Sequence, residues 1–433
     1  MSLMGHPYSD WSVRFLAGAP GDILPVAKIL VRPYESCGLQ SDIRTNSVGV
    51  HQDRRKPCRP VDPSVASQRA LYSERIIMKA LIAMSGGVDS SVSAKLMQDA
   101  GYDCIGCNMK LYNNPDAGYC STKTCCSLSD VEDARSVCAR LGMPFYVFNY
   151  TEEFKHDVME KFARSYTLGH TPNPCIDCNK FLKFGALYQR ARELGCDCVV
   201  TGHYARIRKN EETGKYELLK ALDPKKDQSY VLYNLTQEQL AHTHFPLGGY
   251  HKTHTREIAE ENGFINSHKP DSQDICFVPN GQYTDAVQRI LDYKPQPGPF
   301  LDLQGNVIGQ HKGIIYYTLG QHKHLGLNQP DFPLYVVKID PKKNAIVVGP
   351  SEALFSREAN VGEANWISGD VPEGPVRCQV KVRYRQEAQP ATVTPTGKET
   401  FTIVFDEPQR AITPGQAAVL YDGEIVLGGG TIE

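Results

Sequence analysis

Residues 79–84 form a short run, apolar after Lys79, too short for a buried helix and of the length of a central parallel strand. Ser85-Gly86-Gly87 interrupts it, and from Ser90 to about Met97 apolar residues return at helical spacing, with Val92 and Leu96 on one face. The alternation continues. Strands are predicted over 104–109, 144–149 and 197–201, and helices over 128–141, 154–168 and 181–194, with Ser129 or Asp130 as a start cap for the first of these helices. Strands separated by helices of this length imply βαβ units and an α/β fold with a doubly wound parallel sheet. Such sheets bind ligand beyond the carboxyl ends of their strands, where residues 85–90 and Gly202-His203 both fall. Residues 237–262 read as helical with mixed polarity. After Asp292 the period changes. Pro295, Pro297, Gly298 and Pro299 read as a linker, followed by short β-like runs at 306–311, 313–317, 335–340 and 345–349. Further runs at 378–383, 391–395, 400–405, 417–421 and 424–428, with turns between them and no helical period, predict a small C-terminal β-barrel. No internal repeat of fixed period is visible.

Residues 1–77 carry no sustained period and seven prolines, and acidic residues are scattered among Arg54-Arg55-Lys56 and Arg59, unlike an acid-poor transit peptide. We read this stretch as disordered, or as sequence upstream of the true start codon. At 433 residues the chain predicts two or three domains. Its 41% hydrophobic and 22% charged content is that of a soluble globular protein, and no apolar run is long enough to span a membrane. A net charge of −2 means that any nucleic-acid face must be a local basic patch. Fourteen cysteines in a chain of α/β, enzyme-like pattern favour a reducing, cytoplasmic setting in which thiols are kept for chemistry or metal.

Strand, glycine turn and helix N-terminus together make a phosphate site. Unpaired N–H groups and the positive end of the helix dipole meet there, and two glycines allow close backbone approach. Neither GxxxxGK[ST] nor GxGxxG describes the stretch. Ser-Gly-Gly-x-Asp-Ser resembles instead the pyrophosphate loop of the N-type ATP pyrophosphatases, which cleave ATP between its α- and β-phosphates and adenylate a substrate oxygen; the alternative is an ordinary glycine βα-turn. A second informative stretch is Thr171-Pro172-Asn173-Pro174-Cys175-Ile176-Asp177-Cys178-Asn179-Lys180, where a helix starting near Asn179 would put Cys178 at its N-terminus and lower its thiol pKa. The third is Asp271-Ser272-Gln273-Asp274-Ile275-Cys276-Phe277, a cysteine among polar residues. Three readings of these thiols compete. Cys175 and Cys178 with Cys196 and Cys198 approach a zinc-ribbon spacing; the cysteines are ordinary buried thiols, above all Cys104, Cys107, Cys138, Cys196 and Cys198; or Cys178 and Cys276 form a nucleophilic pair.

SGGVDSS, TPNPCIDCNKFLKF, TGHYAR, KKDQSYVL, DSQDICF, VRYRQ and TPGQAAV, in this order from Met78 to the end, resemble the tRNA-specific 2-thiouridylases of the pyrophosphate-loop (PP-loop) superfamily. The resemblance implies an ATP-dependent sulfurtransferase that adenylates the wobble uridine of tRNA and places a persulfide sulfur at its 2-position. It implies a catalytic domain over 78–285, a small central domain over 286–355 and the β-barrel over 356–433. Cys276 would carry the persulfide and Cys178 would be the catalytic nucleophile, the two closing a disulfide at the end of the cycle. Ala83, Met84, Ser85, Gly86, Gly87, Val88, Asp89, Ser90, Met109 and Gly202 would contact ATP, with Mg²⁺ on its phosphates. Asn173, Pro174 and Cys175 would lie against the target base. His203, Lys226, Asp227, Gln228, Arg383, Tyr384 and Gln416 would meet the tRNA. The implied partners are tRNA and a sulfur-relay persulfide donor protein, with no membrane and a monomer when free. One departure stands out: many relatives have Asp where this chain has Cys175. The third thiol opens an iron–sulfur cluster on Cys175, Cys178 and Cys276 as an alternative to persulfide chemistry. Cys120, Cys125 and Cys126 form a further group to which no role is assigned. Two other functions remain open: a PP-loop enzyme acting on a small molecule, and a tRNA-binding protein without catalysis.

Overall fold

The computed structural model describes residues 77–433, apart from 115, 117, 119–127, 272–274, 279–280 and 328–332. The reading of residues 1–76 and the group Cys120, Cys125 and Cys126 lie outside the described residues.

Five strands form one wholly parallel sheet: β1 (Lys79–Ala83), β2 (Asp103–Lys110), β3 (Phe145–Asn149), β4 (Cys198–Val200) and β7 (Thr243–His244), in the order β3-β2-β1-β4-β7. After the exposed Lys79 the run in β1 is apolar because both of its faces are covered. Leu81 packs with Phe154, Phe162 and Leu182 on one side, while Ala80 and Ile82 pack with Val92, Ala134 and Val137 on the other. The helices supplying those faces include α1 (Val88–Asp99), α2 (Leu128–Arg140), α3 (residues 151–167) and α4 (residues 174–193). Strand order reverses between β1 and β4, so the loops after these two strands meet at the switch point where such sheets hold ligand.

Several elements differ from the sequence reading. The helix expected over 237–262 is two helices, α5 (Gln237–Ala241) and α6 (Lys252–Glu261), separated by β7 and a tight turn at Pro246–Gly249. α5 already ends at Ala241 and Pro246 opens the turn; a Cβ on Gly248 would lie 1.8 Å from the Ala205 carbonyl oxygen, so this close crossing needs glycine. Residues 313–317 form a 3₁₀ turn at Ile314–Tyr316, its two isoleucines buried. The proline-rich segment read as a linker contributes β8 (Gly298–Leu301), and α7 (Tyr283–Leu291) precedes it. β8 joins β9 (Val307–His311), β10 (Tyr335–Asp340) and β11 (Ala345–Gly349) in a four-stranded sheet.

The C-terminal barrel closes. β12 (Phe355–Trp366), β15 (Thr400–Arg410), β14 (Gln389–Gly397), β13 (Val376–Lys381), β16 (Ala417–Asp422) and β17 (Ile425–Ile432) pair in that order, and β17 returns to β12. Its interior is filled by side chains such as Val380, Val393, Phe401, Ile403 and Leu420. A hairpin from the first half of the chain, β5 (Arg206–Lys209) and β6 (Tyr216–Leu219), adds to the barrel by pairing Leu219 with Ile425 and Leu218 with Val426. Sequence reasoning missed this hairpin. No helix among the described residues is long and apolar enough to cross a membrane.

Candidate active site

The loop after β1 is braced from within. Ser90 Oγ accepts from the Ser85 amide (3.2 Å) and donates to the Gly87 carbonyl (3.0 Å), and Ser91 Oγ donates to the same carbonyl (3.1 Å). Gly87 is the extended N-cap of α1, so the first-turn amides of that helix have no acceptor within it. Gly86 has φ +79°, and a Cβ there would meet the Asp130 carbonyl oxygen at 2.3 Å. Gly202, from the loop after β4, would bring a Cβ within 2.9 Å of the Ser90 nitrogen and 3.0 Å of Asp89. The two switch-point loops therefore touch at the helix N-terminus, and only glycine allows that approach. Behind them, the Met84 amide donates to Cys107 O, and Asn108 Nδ2 donates to Met84 O. Met109 lies on the same strand, half-buried.

Charged side chains surround this loop. Lys252, almost fully buried, places its ammonium 2.7 and 2.8 Å from the two oxygens of Asp89 and 2.8 Å from Asp271. Tyr204 donates its hydroxyl to Asp89 Oδ1 (2.9 Å). Asp271 also meets Lys226 (2.7 Å) and Arg256 (3.1 Å). Burial works against its charge, but the hydrogen bonds and charges of Lys226 and Lys252 prevail and hold its carboxyl below the usual range. Lys269 reaches Gly86 O (3.2 Å), Asp130 (2.5 Å) and Asp133 (2.7 Å), while Asn266 Nδ2 donates to Gly86 O (3.0 Å).

The TPNPC segment differs from its expected form. Its helix starts at Pro174, not near Asn179: Asn173 is the N-cap, its side chain accepting from the Cys175 amide (3.1 Å), and Pro174 occupies the first turn. Cys178 thus begins a wider, π-helical stretch, Cys178–Ala186, one turn further in. Wide turns of this kind are frequent at functional sites. Cys175 is exposed and Cys178 half-buried against the aromatic core. The protein packed around the Cys175 sulfur raises its thiol from the ordinary value, with the Lys183 ammonium pulling the other way. Cys276 is exposed, but its neighbours are fixed. Tyr112 donates its hydroxyl to the Cys276 carbonyl (2.7 Å), and buried Phe277 meets the rings of Phe154 and Phe162 edge to face at 5.7 and 5.2 Å.

Cys196 and Cys198 belong to the two cores flanking the sheet, and burial pushes the Cys198 thiol up to about 12. Among the described residues no three His, Cys, Asp or Glu side chains converge as a metal site. The zinc spacing therefore corresponds to no assembled site there.

His203 is buried between Phe184 and Phe245, with Thr201 Oγ1 2.7 Å from Nδ1 and Lys183 Nζ 3.4 Å from Nε2. Burial, then the Lys183 charge, holds its imidazole well below the ordinary value. An ammonium only donates, so Nε2 accepts and Nδ1 carries the proton. Asp227 accepts from the Ala221 and Ser229 amides and the Ser229 hydroxyl, and Gln228 Oε1 accepts from the Tyr204 amide. Arg383 donates to Ala411 O (2.7 Å) and Thr413 Oγ1 (2.9 Å), bracing the turn that leads to Gln416. Gln416 donates to Thr171 O (2.6 Å), and the Thr171 amide donates to Pro414 O (2.8 Å). The barrel thus grips the segment just before Asn173. Tyr384 lies between the two halves: its hydroxyl is 3.4 Å from Asp227 O, and its phenol is raised by burial and then by Asp227 and Cys175.

Sequence reasoning missed Lys183, Tyr204, Lys252, Arg256, Asn266 and Lys269. Asp271 opens the DSQDICF stretch and Lys269 lies two residues before it, but a lysine's burial has no local signature.

Three family models match the chain: a tRNA methyl transferase HUP domain over residues 78–280, a tRNA methyl transferase PRC-barrel domain over 284–350 and an aminomethyltransferase β-barrel domain over 356–432. A tRNA-specific 2-thiouridylase MnmA of Clostridioides difficile is 52% identical over 355 residues, 82% of this chain and 98% of that protein. A protein of the same name from Desulforamulus reducens is 48% identical over 82% of this chain and 97% of its own length. A solved 4-thiouridine synthetase–RNA complex with bound ATP aligns with 50% of this chain and 51% of that one at 19% identity and a TM-score of 0.29, too slight a likeness to carry an argument. On matched domains covering nearly all of residues 78–432 and on relatives about half identical along almost their whole length, the chain belongs to the tRNA-specific 2-thiouridylase family.

Proposed function

We propose that the protein is an ATP-dependent tRNA-uridine 2-sulfurtransferase acting on the wobble position. The 2-oxygen of the uridine attacks the α-phosphorus of ATP, and pyrophosphate leaves against the first-turn amides of α1 and the loop at 85–90. The terminal sulfur of a Cys276 persulfide attacks C2, and AMP departs with the oxygen. Cys178 thiolate then attacks the Cys276 sulfur, which frees the sulfur on the base and leaves a Cys178–Cys276 disulfide for two-electron reduction. In a variant of this route Cys178 first releases hydrogen sulfide, which attacks C2. The base must leave the anticodon stack to reach these groups.

The roles follow the motifs. Ala83, Met84, residues 85–90, Met109 and Gly202 hold ATP; Asn173, Pro174 and Cys175 face the base; His203, Lys226 and Tyr384 face the RNA. Asp227, Gln228, Arg383 and Gln416 shape that face through the internal hydrogen bonds above. Mg²⁺ keeps several waters and is commonly bound through one or two carboxylates and substrate phosphates, so it fits here on ATP with Asp89 as the nearby carboxylate. The thiols Cys175, Cys178 and Cys276 fit no cluster, since no three such ligands converge among the described residues, and we route no step through one. Residues 78–285 serve as catalytic domain, 286–355 as central domain and 356–433 as the barrel that grips the TPNPC segment. A donor protein supplies the persulfide. The protein acts in the cytoplasm as a monomer when free, where its thiols can be reduced between turnovers.

The observation that supports this reading best is the convergence of motifs far apart in sequence. The glycine loop, the Asp271 segment leading to Cys276, and His203 all gather at the switch point of one sheet. Methyl transfer, the word in two of the matched domain descriptions, would leave the glycine loop and the cysteine pair without a task. The test is to incubate the protein with unmodified tRNA, ATP and sulfide and to measure 2-thiouridine by mass spectrometry with AMP release. Thionucleoside in proportion to AMP is expected. ATP–pyrophosphate exchange without tRNA, and no thionucleoside with it, would overturn the reading.

A further inference from the structure

The carbonyl oxygen of Gly86, inside the phosphate loop, accepts two side-chain hydrogen bonds from outside it. Asn266 Nδ2 donates to it at 3.0 Å and Lys269 Nζ at 3.2 Å. Both come from the turn after α6, which Arg256 ties down by donating to the carbonyls of Ser267 (3.0 Å) and Lys269 (3.3 Å). Asn266 is 3% exposed, and its amide also donates to Ser91 Oγ (2.9 Å), whose hydroxyl goes to the Gly87 carbonyl. Lys269 directs its other two N–H bonds to Asp130 and Asp133 of α2, so all three donors of the ammonium are engaged. Burial opposes its charge, but the hydrogen bonds and charges of Asp130 and Asp133 prevail and hold it above the usual lysine range.

We propose that Asn266 and Lys269 are positioning residues that aim the Gly87 amide at the pyrophosphate part of ATP. This rests on the ATP-loop reading given above. A trans peptide is planar, with its C=O and N–H pointing in opposite directions. Two donors holding the Gly86 oxygen towards residues 266–269 therefore turn the Gly87 N–H to the opposite side. Its acceptor there is Ser85 Oγ at 3.3 Å, just beyond the ordinary N–H···O range. A charged phosphate oxygen is a stronger acceptor than that hydroxyl. Glycine makes the aim necessary. With no Cβ on either side of this peptide, and Gly86 already at φ +79°, rotation of the plane meets little steric resistance. Turned over, the peptide would present its carbonyl oxygen, with its partial negative charge, to the phosphates. The same two glycines that admit phosphate would thus let the loop repel it, and the side chains of Asn266 and Lys269 remove that second state.

The experiment uses the full-length protein with inorganic pyrophosphate and AMP as separate probes, their binding measured by calorimetry in the presence of magnesium. Asn266→Leu nearly keeps the volume, removes the donor and changes no charge. It should weaken pyrophosphate binding about tenfold, the order expected for one hydrogen bond to a charged group, and leave AMP binding within about twofold. In steady-state thiolation the KM for ATP should rise while the KM for tRNA stays unchanged. Lys269→Met should show the same split, and Lys269→Arg, which keeps the charge and donors, should restore pyrophosphate binding. Both residues act on one oxygen, so Lys269→Met and its rescue serve if Asn266→Leu fails to fold. Unchanged pyrophosphate affinity in the folded variants, or equal loss of AMP and pyrophosphate, overturns the positioning role alone. Failure of the wild type to bind pyrophosphate overturns the loop reading and the positioning role together.

Discussion

Phe277→Ala separates the anchoring of Cys276 from its chemistry. Phe277 is 1% exposed and lies edge to face against Phe154 and Phe162, inside the core that also contains Leu81 of β1. A buried phenyl side chain covers about 150–250 Å², worth roughly 4–6 kcal/mol at about 25 cal/mol per Å². The retained alanine methyl recovers part of this, and incomplete collapse of the cavity adds some back. A loss of about 3–5 kcal/mol is therefore expected. Phe277→Leu keeps most of the volume and forfeits the ring contacts, for about 1–2 kcal/mol. Urea denaturation followed by circular dichroism reads the stability. Thionucleoside formation under conditions where each variant is folded reads the site, and Phe277→Ala should lower kcat far more than it alters tRNA affinity. A loss below about 1 kcal/mol for Phe277→Ala, or full activity in that variant, would refute the claim that this ring fixes the cysteine segment.

Ser90→Ala removes a hydroxyl that ties Ser85 to Gly87, and it should abolish ATP-dependent thiolation while leaving tRNA binding within a few fold, read by filter binding. Cys178→Ser and Cys276→Ser should each eliminate 2-thiouridine, because a serine hydroxyl can neither carry a sulfane sulfur nor close a disulfide. Cys175→Asp should retain much of the activity with no dependence on iron; loss of activity together with loss of bound iron from the wild type would show a cluster at work. His203 gives a pH signature. Its folded pKa lies below the unfolded value near 6.5, so the unfolded chain binds the extra proton first. Its contribution is intact above about pH 6.5 and falls as pH drops from there towards the folded pKa. His203→Gln should flatten the decline of the urea midpoint across that acidic window.

The sheet's first strands were legible because their signals are local. After Lys79 the run to residue 84 is apolar on both faces, and Gly86 and Gly87 break it where Val88 begins α1. The motif order alone carried the family. Local reading failed where the chain is held by partners distant in sequence. Pro246, Gly248 and Gly249 were passed over within a helical reading, although Gly248 is required by Ala205, forty-three residues earlier. The hairpin β5–β6 finds its place only by pairing with β17, two hundred residues away. The sequence places the helix start near Asn179, with Cys178 at its N-terminus, whereas Asn173 caps the helix and Pro174 opens it.

What the sequence determined by itself is the chemistry available: a glycine turn before a helix for phosphate, and cysteines at 178 and 276 for sulfur. What the tertiary structure decided is which of those groups address one another. A lysine in a polar stretch reads as a solvated side chain, and only the packing of α6 beneath the switch point buries Lys252 between Asp89 and Asp271. The grip of Gln416 and Pro414 on Thr171 likewise depends on a barrel that exists only once six strands have closed. Propensity and period act over a few residues, whereas charge pairing and close backbone crossings depend on distances in space, which is why the first could be read along the chain and the second only in the fold.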